Sequence, residues 1–86
     1  ALKPLSDAYS VAGLRIAALG LAASDGAPAD VIREVHTLDL DLGAVDGIER
    51  RSLRRPFRAM RDAVAASGHA MAAELLDRIA REHHLG

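Results

Sequence analysis

Between Val11 and Ala23 the chain reads VAGLRIAALGLAA, with Arg15 as its single polar side chain. A helix that is apolar all round must be covered all round. The stretch therefore predicts either the central, most buried element of a helical bundle or one half of an interface. Leu5, Tyr9, Ala12, Ile16 and Leu19 follow helical spacing, which predicts a helix opening at Leu5 or Ser6 and running to Ala23. Asp7 would then lie in the first turn, where a negative charge suits the dipole. Gly13, Ala17 and Gly20 form a second stripe of small residues on another face. Glycine inside a helix costs up to about 1 kcal/mol relative to alanine, and close approach of another helix, from this chain or a second copy, would explain it. On that reading, leucine at Gly13 and Gly20 would break the contact.

The remaining pattern is helical too. Ser24 to Pro28 is a break, and Pro28 suits the first position of a new helix with Asp30 in its first turn. Val31, Val35, Leu38, Leu42 and Val45 repeat at four-then-three spacing, which carries that helix to about Leu42. Leu38, Leu40 and Leu42 also alternate as a half-buried strand would, but a lone short strand would find no partner in this chain. Asp46 and Glu49 form a capping-box pattern, with Asp46 as the cap and Glu49 reaching back to it. Pro56 removes a backbone donor and disfavours helical geometry at Arg55, so the next helix either ends near Arg54 and restarts or is kinked. Leu53, Phe57, Met60 and Val64 mark its buried face. Ser67-Gly68 reads as a stop, followed by a helix from Ala70 to His84 that buries Met71, Leu75, Ile79 and Leu76. The expectation is one all-α domain over residues 1–86, a small antiparallel bundle of about four helices.

Composition makes the core thin. Half of the 86 residues are apolar, yet only 2% are aromatic, and many of the apolar positions are alanine. Apolar burial contributes roughly 25 cal/mol per Å², and alanine has little area to offer. A partner, or a second copy, would supply burial that the chain lacks. There is no cysteine, hence no disulfide framework or thiolate metal site, which suits a reducing cytoplasm. No signal-peptide pattern opens the chain, and the apolar run is well short of the ~20 residues that cross a bilayer.

A net charge of −1 argues against a generic polyanion binder, but the charge is unevenly placed. From Arg50 to Arg61 the chain reads RRSLRRPFRAMR, and on a helix Arg50, Arg54, Arg58 and Arg61 form one stripe, with Arg55 beside it. Guanidinium forks suit phosphates and carboxylates. Asp39, Asp41 and Asp46, just upstream, can neutralise this stripe within the fold or in a neighbouring subunit. The same acidic residues lack the spacing of a calcium-binding loop. His36, His69, His83 and His84 read as structural, because adjacent histidines do not converge on one helix face and metal binding would need another element. No metal site, cofactor or Gly-rich phosphate loop is read from the sequence.

Two short stretches resemble motifs of known families. Arg78 and His83, with four residues between them, resemble the motif of HEPN-type ribonucleases, which are all-α dimers with the motif at a symmetric cleft. That resemblance would imply RNA cleavage using those two residues. His36-Thr37-Leu38 resembles the start of a histidine phosphotransfer motif, although Asp39 stands where such domains carry lysine. The residues as a whole favour a non-catalytic interaction module that self-associates or docks on a protein, with Gly13, Ala17 and Gly20 at the interface. The alternative is a nucleic-acid or phosphate-binding domain using Arg50, Arg54, Arg55, Arg58 and Arg61. A helical ribonuclease or phosphotransfer domain stands behind both.

Overall fold

A computed structural model describes residues 10–86, which form four helices: α1 (Val11–Ala22), α2 (Pro28–Leu42), α3 (Gly47–Ala66) and α4 (Ala70–Glu82). The all-α expectation holds. The beginning of α1 differs from the expected one. Ser10 is extended, and its hydroxyl accepts a hydrogen bond from the Gly13 amide at 3.1 Å. A serine that caps the backbone competes with helix continuation, so the helix starts at Val11 rather than at Leu5 or Ser6. The expected packing of Leu5 and Tyr9, and the place of Asp7, lie outside the described residues.

Pro28 opens α2 as expected, with Asp30 in the first turn. Val31, Val35, Leu38 and Leu42 are buried along one face, and Leu40 points to solvent. The alternation at Leu38-Asp39-Leu40-Asp41-Leu42 is therefore two inward turns of helix with an outward leucine between them. In α3, Asp46 accepts from the Glu49 amide at 2.8 Å, as a cap should. The reciprocal half of the capping box is not formed. Glu49 does not return to Asp46, and its Oε2 is buried without a hydrogen-bond partner among the described residues. Helix α3 also runs unbroken past Pro56. Pro56 and Ser52, whose carbonyl loses its donor, are both on the exposed side, where water can serve that acceptor.

The last helix buries Leu76 and Ile79 as expected, but its inward face is shifted away from Met71. Ala72, Ala73, Leu76 and Ile79 are buried, Leu75 is only half-buried, and Met71 is exposed. Ala72 and Ala73 take the inward positions, one residue past Met71. Both later helices end with a left-handed residue. Gly68 has φ +86°, and the amide of His69 reaches back to the Val64 carbonyl. At the end of α4 the left-handed residue is His84, with φ +58°, and the Leu85 amide bonds to the Ala80 carbonyl. This wrap buries Leu85.

Helix α1 packs against α2 and α3, and α4 packs against the same two helices. The chain is thus two helical hairpins, α1–α2 and α3–α4, laid against each other. The end of α1 meets the turn after α3, where His69 Nε2 lies 2.7 Å from the Ala23 carbonyl. The end of α2 meets the end of α4, where His83 Nε2 lies 2.7 Å from Asp39 Oδ1. One core joins all four helices, centred on Ile16, Val35, Leu38, Val64 and Leu76. Among the described residues no helix is long and apolar enough to cross a membrane.

Candidate functional site

The most apolar helix is not the most buried one. Only Ala12, Ile16 and Leu19 of α1 are buried, while Val11, Leu14 and Leu21 are 67%, 52% and 82% exposed. The physical reason is the two-hairpin arrangement, which gives α1 neighbours on two sides and leaves its outer side without one among the described residues. Val11, Leu14, Ala18 and Leu21 follow one another at three- and four-residue spacing and line that outer side, flanked by Ala17 and Ala22.

Arg15, the one charge on α1, is drawn off this face. Its Nε donates to Asp41 Oδ2 at 2.7 Å, and its Nη1 donates to Glu34 Oε1 at 2.8 Å, both on α2. The hydrogen bond from Arg15 to Asp41, helped by Glu34, raises the guanidinium pKa above its ordinary value. An arginine held by two carboxylates is a tie between α1 and α2, not a surface cation. No signal in the local sequence could pair Arg15 with residues 19 and 26 positions away.

The small-residue stripe lies at the other edge of α1. Gly13, Ala17 and Gly20 face Pro56, Ala59 and Met60 of α3 across a shallow apolar groove of about 410 Å³. The approach is looser than expected. A Cβ on Gly20 would sit 3.9 Å from Met60, an ordinary contact, so the packing does not demand glycine there. The tight position is Gly26, where a Cβ would come within 3.0 Å of the Ala22 carbonyl oxygen and of Val31.

The arginine stripe is divided by its partners. Arg61 makes a two-pronged contact to Asp77 at 2.8 and 2.9 Å, and Arg50 donates to the Val45 carbonyl at 3.3 Å. Arg54 reaches the His84 carbonyl at 3.4 Å. Arg51, Arg55 and Arg58 are exposed, and none has a carboxylate partner among the described residues. Arg54, Arg55 and Arg58 line a depression of about 390 Å³ closed by Asp62 and the Leu85-Gly86 end. Asp39, Asp41 and Asp46 do not neutralise the stripe as expected. They are engaged with His83, with Arg15 and with the α3 amides. Asp77 takes that part instead, and the Arg61 hydrogen bonds hold its carboxyl below the usual aspartate range.

Of the four histidines, His36 is exposed on α2, His69 is tied to Ala23, and His83 faces Asp39. His83 is directed at α2, and no hydrogen bond joins it to the exposed Arg78. The second element that metal binding would need is supplied by Asp39, and Glu82 completes a group of three. Comparison of the chain with known protein families, with curated proteins and with solved structures finds no match.

Proposed function

We propose that this chain is a non-catalytic helical module that self-associates through the outer face of α1. One observation carries the reading: a continuous exposed face of Val11, Leu14, Ala18 and Leu21, with the helix's only charge turned away onto α2. A face with no charge of either sign carries no like-charge repulsion against its own image, and is to that extent compatible with the self-complementarity a two-fold contact needs. Burying it would also supply the apolar area that an alanine-rich core lacks.

The test is absolute mass by light scattering across a wide concentration range, at low and high salt, for the native chain and for Leu14→Glu and Leu21→Glu. A dimer that persists in high salt and dissociates in either variant, with helical content retained, is the expected result. A monomer at every concentration, or an assembly that both variants leave intact, overturns the reading.

A second reading rests on Arg51, Arg55 and Arg58, three exposed arginines of α3 with neither a carboxylate nor a hydrogen-bond partner among the described residues. Together with Arg54 they form a basic patch suited to phosphate groups. Binding of RNA or heparin there should weaken steeply with added salt. Absence of binding at low salt removes it.

A further inference from the structure

Asp39 and His83 are 44 residues apart in the chain, and the packing of the end of α4 on α2 brings their side chains to 2.7 Å. Glu82 stands beside them, so that a donor atom from each of Asp39, Glu82 and His83 lies within 4.8 Å of the other two. The Asp39–His83 contact alone is accounted for as a tertiary hydrogen bond. Glu82 is not. It is exposed, and no hydrogen bond or cationic side chain engages its carboxylate among the described residues. Placing a second carboxylate near Asp39 is unfavourable unless a positive charge sits between them.

We propose that Asp39, Glu82 and His83 bind one divalent transition-metal cation, with Zn²⁺ as the ion best matched to the donors. One imidazole nitrogen and two carboxylate oxygens are a mixed set that first-row dications accept, whereas Ca²⁺ takes six to eight oxygens. Three protein ligands leave a fourth tetrahedral position for water. Zinc bonds of about 2.0–2.2 Å space tetrahedral donors roughly 3.4 Å apart. The Asp39–His83 pair would open from its 2.7 Å hydrogen bond to that spacing, and the exposed Glu82 side chain is free to rotate toward the other two. Two carboxylates and a neutral imidazole carry a charge of −2, which a dication cancels. The bound ion would join the last turns of α2 and α4, so it would act on the fold as a cross-link between the two hairpins.

The experiment is calorimetric titration of the chelator-treated full chain with Zn²⁺, repeated for Glu82→Gln, His83→Ala, Asp39→Asn and His36→Ala. One ion per chain is expected. Glu82→Gln should weaken binding about tenfold or more without lowering the metal-free thermal midpoint, because that carboxylate makes no contact the fold depends on and its removal relieves repulsion from Asp39. His83→Ala and Asp39→Asn should abolish binding, and His36→Ala should leave it intact. Cobalt added to the native chain should give the intense visible absorption of a tetrahedral site, lost in Glu82→Gln. No stoichiometric uptake at millimolar Zn²⁺ overturns the proposal. So does uptake that Glu82→Gln leaves unchanged, or that His36→Ala removes while His83→Ala does not.

Discussion

The imidazole of His69 donates from Nε2 to the carbonyl oxygen of Ala23 across 2.7 Å, and this single bond ties the turn after α3 to the end of α1. The acceptor belongs to a fully buried residue. Both the neutral Nε2–H tautomer and the imidazolium can make this bond, since a carbonyl only accepts.

His69→Ala therefore leaves a buried acceptor without its donor, which costs about 1–2 kcal/mol. Urea unfolding should show a lower midpoint with an unchanged slope. His69→Gln, which can still donate, should recover part of the loss. Equal stability of all three chains would show that the bond contributes nothing.

Gly20 and Gly26 answer oppositely to the same substitution. Gly20→Ala places a methyl at ordinary distance from Met60 and removes a glycine from the last turn of α1, so it should stabilise by up to about 0.5–1 kcal/mol. Gly26→Ala pushes a methyl against the Ala22 carbonyl and the buried Val31 and should lower the thermal midpoint. If Gly20→Ala destabilised the chain instead, the α1–α3 approach would be tighter than described.

Asp77 gives the chain an acid-sensitive link. Its folded-state pKa is lowered, first by the Arg61 hydrogen bonds and further by the charges of Arg61 and Arg81. A lowered carboxyl stabilises the fold above the ordinary aspartate range and loses that contribution as pH falls through the lowered value. Asp77→Asn should flatten the acid side of a plot of unfolding midpoint against pH. Superimposable plots for the two chains would refute the link.

The helices were legible from spacing and breakers: Pro28, the Asp46 cap, the Ser67-Gly68 stop and the buried positions of α2 and α3 all stand where the pattern puts them. What local pattern could not carry is the choice of inward face when several are apolar. In α1 nearly every position could be buried, so the outer side was decided by where α2 and α3 lie. In α4, Met71 loses its place to Ala72 and Ala73, and the side-chain pattern of the helix alone did not distinguish the two faces. Leu85 joins the core through a left-handed His84, a position where glycine is the usual signal and is missing here.

The candidate sites were legible in residue type and not in partnership. The arginine run was visible, but Arg61 goes to Asp77 of α4, and the aspartates just upstream are engaged elsewhere. Asp39 and His83 could be joined only by the packing of two hairpins. Each lies in its own helical context in sequence, and neither context points to the other.

The pairing of α1 with α3 and of α2 with α4 also has a kinetic consequence. His69 and Ala23 are 46 residues apart and His83 and Asp39 are 44, about half the chain in each case. Neither hairpin can bury its inner face until the other arrives, so contacts spanning about half the chain must form before either face is covered. Folding should accordingly be slower than in a bundle of equal size whose successive helices are all neighbours.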